Sequence, residues 1–254
     1  MKIATWNVNS LRKRSEAVAA FIESERPDVL CLQETKVSDP DFPAGLFREC
    51  AMQVVWHGQK SYNGVAIATS SDLADVERSL PEMNEEGQAR LIAATVDGVR
   101  IVCAYVPNGG DPVKYKYKLA WLDHFAVFLA RQRQRFGRVV AAGDYNVAPA
   151  DADVYDIEHW GRNSVAVRPP ERQAWQRLLA AGYEDAQAQV GAPPQFTWWD
   201  YRNSAFASNR GLRIDHLLLA GVACAGLQVA RDVRGAPEPS DHAPVVCQLA
   251  AAGD

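Results

Sequence analysis

Short apolar runs rich in β-branched residues recur along the chain: "KIATWNV", "DVLCLQE", "NGVAIAT", "LIAATV", "VRIVCAYV", "RVVAAGD", "LRIDHLLLA" and "APVVCQLA". Several are apolar at consecutive rather than alternating positions, the pattern of strands covered on both faces. Helical spacing falls between them. Val18, Phe21 and Ile22 follow a candidate cap at Ser15, and Leu122, Phe125, Ala126 and Leu129 form a second apolar stripe. Trp175, Leu178 and Leu179 precede Gly182, a stop signal. Covered strands interleaved with helices predict an α/β fold. No Pro/Gly/Ser-rich linker or low-complexity tract divides the chain, so residues 1–254 read as one domain. The least regular stretch, 150–170, reads as a functional or mobile loop.

Composition narrows the class. The chain has 254 residues, 48% hydrophobic and 23% charged, as expected for a packed globular core. The N-terminal "MKIATWNVNSLRKR" has no long apolar segment, and no run reaches the roughly 18 apolar residues of a membrane span. No membrane role is expected. Cys31, Cys103, Cys224 and Cys247 lie in apolar runs, Cys50 follows an acidic residue, and no pair has CxxC spacing. They read as small core residues of a reduced, cytoplasmic protein. A net charge of −4 weighs weakly against a nucleic-acid partner. Carboxylates clustered in an active site subtract from the total until a cation neutralises them.

The candidate chemistry lies where the strands end. In "RVVAAGDYNVAP", Asp144 and Asn146 are two apart and share a side if the strand continues. Alone, the pair is a turn or a hard-ligand site, since both residue types favour turns. The other runs repeat the arrangement. Asn7 closes the first strand, Glu34 the second, and Tyr105 and Asn108 a later one; Asp215 interrupts "LRIDHLLLA", and Asp241 and His242 precede the last strand. In layered α/β folds, strand ends converge on one rim, where ligands bind. Carboxylates gathered there repel one another unless a divalent cation sits among them, and oxygen-only donors suit Mg²⁺ or Mn²⁺ better than zinc. There is no nucleophile elbow or Gly-rich phosphate loop, and the adjacent Ser240, Asp241 and His242 cannot form a hydrolase triad from one extended segment. Hydrolysis by metal-activated water fits better. The remaining histidines, His57, His124, His159 and His216, read as structural or exposed.

These residues sit in ordered motifs. "WNVNSLRKR", "LCLQETK", "YNGVAIA", "YVPNGG", "GDYNVAP", "FTWWDYR", "NRGLRIDHLLL" and "SDHAPV" follow one another from residue 3 to about 249. The chain thereby resembles the exodeoxyribonuclease III family of AP endonucleases, within the endonuclease/exonuclease/phosphatase superfamily. "SDHAPV" and "GDYN" mark the superfamily; "LQETK", "FTWWDYR" and "NRGLRID" point to the DNA-repair branch. The resemblance implies a four-layer α/β/β/α sandwich, two mixed sheets flanked by helices, with the active site at one edge. It implies metal ligation by Glu34 with Asn7 and Asp241, and leaves open a second metal at Asp144, Asn146 and His242. Asp144 would activate the attacking water, Asn146 would hold the phosphate, and Tyr105 would lie beside it. His242 would donate to a phosphate oxygen, with Asp215 fixing its tautomer.

Phosphodiester hydrolysis needs a water nucleophile, charge neutralisation at phosphorus and a stabilised leaving oxygen, and this set can supply all three. Trp198 and Trp199 are core aromatics or, with Leu212, the wall of a pocket for a base-less sugar. Lys114, Lys116 and Lys118 in "VKYKYKLAW" are a solvated helix start or a phosphate-contacting strip. Arg90 and Asn108 are further candidate DNA contacts. The expected activity is Mg²⁺-dependent incision 5′ to abasic sites in duplex DNA, with 3′–5′ exonuclease or 3′-phosphodiesterase action, by a monomer. The alternatives are a phosphodiesterase acting on a small phosphate ester and a non-catalytic DNA-binding relative.

Overall fold

The computed structural model describes residues 1–81, 83 and 87–251. Its elements run β1 (Lys2–Asn7), α1 (Ser15–Glu25), β2 (Val29–Gln33), α2 (Ala44–Glu49), β3 (Gln53–His57), β4 (Val65–Thr69), β5 (Leu73–Arg78), β6 (Leu91–Val96) and β7 (Val99–Tyr105). Then come α3 (Pro112–Phe136), β8 (Val139–Asp144), α4 (Ile157–Trp160), α5 (Pro169–Ala180), β9 (Glu184–Asp185), α6 (Ala186–Val190), β10 (Asp215–Ala220), β11 (Cys224–Val229), α7 (Arg231–Gly235) and β12 (Val245–Leu249). They build two six-stranded mixed sheets, ordered β11-β12-β1-β2-β4-β3 and β5-β6-β7-β8-β10-β9.

The consecutive apolar runs have the expected cause. Side chains alternate across a strand. In β1, Ile3 faces the layer between the sheets, while Ala4 and Trp6 face α1 and α2. In β7, Ile101 and Cys103 point inward, while Val102 and Ala104 pack toward α3 and α5. Both faces of each central strand are thus dry, and the layers are α/β/β/α. Gly143 lets β8 lie close against β7, because a Cβ there would meet Ala104 O at 1.9 Å.

Some local expectations change. Ser15 is the first helical residue of α1, not its cap; Arg14 holds that position without a side-chain cap bond. Asp215 does not interrupt a strand but opens β10, directly across from Asp144 in β8. The 150–170 stretch is structured: a 3₁₀ turn (Asp151–Asp153) and α4 lead into α5, and Val154, Ala166 and Val167 are buried with Leu212 and Ile214. No described helix is long and apolar enough to cross a membrane. All five cysteines are free, and Cys31, Cys103 and Cys247 are buried.

Candidate active site

The two sheets bring the polar strand ends to one rim. Pairing of β7 with β8 sets Tyr105 beside Asp144, and pairing of β8 with β10 sets Asp144 beside Asp215. Asn7, at the end of β1 in the other sheet, bridges across. Its amide nitrogen donates to Glu34 Oε1 and to Asp144 Oδ2, each at 2.9 Å, so two carboxylates flank one side chain. Glu34 follows β2 with φ +52, and Asn146 follows β8 with φ +51. Left-handed backbone at non-glycine residues costs of order 1–2 kcal/mol and persists where surrounding bonds over-determine it. Here Ser10 N donates to Glu34 O at 2.8 Å, and Asn146 N donates to Asp144 Oδ1 at 2.9 Å.

Asp215 Oδ2 accepts from Thr197 Oγ1 at 2.6 Å and lies 2.8 Å from His242 Nδ1. Its Oδ1 is buried without a partner among the described residues. The imidazole's other nitrogen lies 3.8 Å from Asp144 Oδ2. Burial opposes a charge on His242, but Asp215 and Asp144 outweigh it and push its pKa up to about 10. Burial raises Asp144 to about 7, against the pull of His242 and with Asp215 adding to the rise. Burial also works to raise Glu34, yet hydrogen bonds from Asn7 and Lys36 leave it below the usual carboxylate range. Lys36 Nζ is 2.8 Å from Glu34 Oε2. Tyr105 is pushed well above the phenol range by burial and by Glu34 and Asp144, so it stays protonated at neutral pH.

Asp241 completes the rim in an unforeseen way. Asn9 Nδ2 and Trp198 Nε1 each donate to one of its carboxylate oxygens at 3.0 Å. Trp198 packs edge-on against Trp160, with ring centroids 6.1 Å apart, and pairs in register with Leu212 and His242. Grooves open from the site on the Glu34 and Trp198 sides. The first, of about 1320 Å³, is lined by Tyr105, Arg90, Asn108, Tyr62, Lys114 and Lys116 among others. The second, of about 680 Å³, runs past Trp160, Trp198, His159, Arg202 and Arg210.

Two expectations need correction. Trp199 is fully buried, edge-on to Phe206 and away from the Trp198 wall, because its chain segment pairs with Asp241 and turns the ring into a separate core cluster. Lys118 is fully buried and reaches no groove; it occupies the inner side of α3, while Lys114 and Lys116 are exposed. Asn7 turns its amide nitrogen to the carboxylates, and its oxygen accepts from Asn9 N, so in this arrangement it ties Glu34 to Asp144. Arg90 stacks over the Tyr105 ring at 4.8 Å, and Asn108 is exposed at the groove rim. Asn9, Lys36, Trp160 and Thr197 were not singled out from the sequence. Asn9, Trp160 and Thr197 meet Asp241, Trp198 and Asp215 far along the chain, whereas Lys36 pairs with Glu34 only two residues before it, where a lysine reads as solvated.

Among the described residues, Asp144, Asp215 and His242 form the one group whose ligand atoms all approach within 4.8 Å. With Glu34 and Asp241 nearby, the donors are predominantly carboxylate oxygen, which fits a hard divalent cation.

The fold is matched by known proteins. The endonuclease/exonuclease/phosphatase family model covers residues 4–242. Exodeoxyribonuclease III of Haemophilus influenzae is 34% identical over 96% of this chain and 98% of its own. Among solved structures, the 3′-5′ exonuclease NExo of Neisseria meningitidis superposes with a TM-score of 0.95 at 40% identity, covering 99% of this chain and 100% of that one. An AP endonuclease of Archaeoglobus fulgidus superposes at 0.92 with 34% identity, over 99% and 100% of the two chains. The chain therefore belongs to the endonuclease/exonuclease/phosphatase family. Within it, the chain is a phosphodiester hydrolase of the exodeoxyribonuclease III type, a DNA repair nuclease.

Proposed function

We propose that the protein uses Mg²⁺ to incise duplex DNA 5′ to abasic sites and to process blocked or recessed 3′ ends. The observation that carries this reading is the meeting at one rim of the Asn7-tethered Glu34 and Asp144 with the Asp215–His242 pair. Glu34, with Asn7 and Asp241, would hold the cation, which supplies Lewis-acid charge to the phosphate oxygens when bound. Asp144, with a pKa of about 7, is matched to taking a proton from water near neutral pH. His242, charged and held by Asp215, presents Nε2 to a phosphate oxygen. Asn146 orients the phosphate, and Tyr105 offers a proton on the leaving-oxygen side. Action on 3′ ends is favoured by the NExo likeness, a protein also described as a 3′ phosphatase in a complex with a product DNA hairpin. The 1–254 chain is read as one catalytic domain acting as a monomer.

The test is Asp144→Asn under single-turnover conditions. The rate should fall at least about 10²-fold, the low end for loss of a general base. Affinity for abasic duplex should change little. A collapse of affinity with the rate intact would make Asp144 a binding residue.

A further inference from the structure

Lys118 is a buried titratable residue that the proposed chemistry does not use, and its surroundings are specific. It projects from α3 to a point where three loop segments meet. Its Nζ donates to Asn146 O at 2.6 Å, to Asn108 O at 3.3 Å and to a carboxylate oxygen of Glu171. Both side chains are fully buried. The three ammonium hydrogens thus have three acceptors, two carbonyls and a carboxylate. Glu171, in the first turn of α5, accepts in addition from Arg168 N at 2.9 Å and Ala166 N at 3.3 Å. Ala166 O in turn accepts from Ala148 N at 2.8 Å. One ion pair therefore ties together the segment after β7, the segment after β8 and the segment entering α5.

Those segments carry Asn108 and Asn146, the amides that the proposed function sets at the phosphate. Asn108 Nδ2 donates to Asn146 Oδ1 at 3.1 Å, and Asn146 Nδ2 donates to Val106 O at 3.0 Å. Asn146 holds a left-handed backbone, and its own carbonyl oxygen accepts from the lysine. Stability alone gives no reason for such a pair. A buried ion pair replaced by apolar residues of similar volume is often neutral or stabilising, because desolvation offsets the attraction. What apolar residues lack is three donors in a tetrahedral fan, and arginine's planar fork lacks it too.

We propose that Lys118, locked to Glu171, is a positioning residue: it pins the Asn108 and Asn146 segments by their backbone carbonyls and so sets the geometry of the phosphate-facing amides. The catalytic half of this inference rests on the nuclease reading; the structural half does not.

The test is the double variant Lys118→Met/Glu171→Leu, which removes both charges at once. Its thermal midpoint should stay near wild type. Amide hydrogen exchange should rise together in segments 106–110, 145–148 and 166–168, by roughly 10-fold or more, while the central strands keep their protection. The single-turnover rate on lesion-bearing duplex should fall by about 10²-fold, the size expected for a misplacement near 1 Å, with the DNA dissociation constant nearly unchanged. Glu171→Gln preserves the shape of the site and should shift exchange and rate the same way, by less; it carries the test if the double variant does not fold. Unchanged exchange in those segments overturns the inference, whatever the activity. So does raised exchange with a wild-type rate, or a rate loss that saturating DNA restores. If the wild-type protein cleaves no DNA, the nuclease reading fails, while the exchange measurement still decides whether Lys118 pins the loops.

Discussion

Trp198 and Trp199 are neighbours in the chain with opposite fates. Trp199 sits in the core with no exposed surface, so Trp199→Ala should cost about 3–5 kcal/mol of stability by leaving a cavity. It should leave the preference for lesion-bearing DNA alone. Trp198 is half-buried, walls a groove and holds Asp241 through its indole N–H. Trp198→Phe keeps an aromatic wall but removes that bond. Apparent metal affinity should then weaken by about 10–100-fold, as for loss of an outer hydrogen bond to a ligand. Metal titrations of both variants, read by Mn²⁺ binding as well as activity, separate the two effects; equal loss of metal affinity in both would contradict the assignment. Asp144, Asp215 and Glu34 were legible in the sequence because a carboxylate closing or opening an apolar run needs a partner. Lys118 was not. A lysine in a run of lysines looks solvated, and only the packing of α3 against α5 reveals that the third of the three faces inward.

The central strands were legible for a physical reason, and the missed ones share a physical cause. The runs read as strands became β1, β2, β4, β6, β7, β8, β10 and β12, while β3, β5, β9 and β11 carried no clear signal. Those are the edge strands of the two sheets. With solvent on one side, their burial is broken, as in β5 and β11, and the apolar run disappears. Between β10 and the 150–170 stretch lies a polar core that periodicity could not show. Arg213 bridges Asp153 at 2.6 Å and Asp185 at 2.8 Å, and donates to His216 Nδ1 at 3.0 Å. His216 Nε2 then donates to Val147 O at 2.8 Å, which fixes a neutral ring. Burial, then Arg213, lowers its pKa from 6.5 to about 3. The folded state thus binds fewer protons than the unfolded one between those values. Stability from this group is present above about pH 6.5 and is lost as pH falls toward 3, at up to roughly 1.4 kcal/mol per unit. Urea unfolding from pH 7 to pH 4 should show a slope steeper by about one proton in wild type than in His216→Gln. Parallel slopes would mean that the ring titrates freely.

The assembled molecule reconciles a net charge of −4 with a polyanionic substrate. Carboxylates concentrate at the rim where a cation would bind, while Lys114, Lys116 and Arg90 line the groove beside it. Binding of duplex DNA should weaken with salt despite the acidic total, and replacing Lys114 and Lys116 by alanine should lower the log–log slope by about two, one per lost phosphate contact. An unchanged slope would place the DNA elsewhere.

The most direct measurement is cleavage of an end-labelled duplex bearing one abasic site, and of a matched duplex with a 3′-phosphate, across a Mg²⁺ series and in excess chelator. Incision 5′ to the lesion or release of the 3′ group should require the metal. Glu34→Gln should cut turnover and recover partly at high Mg²⁺. Undiminished cleavage in chelator, or none on either substrate with Mg²⁺ or Mn²⁺, would contradict the metal-dependent nuclease built from this rim.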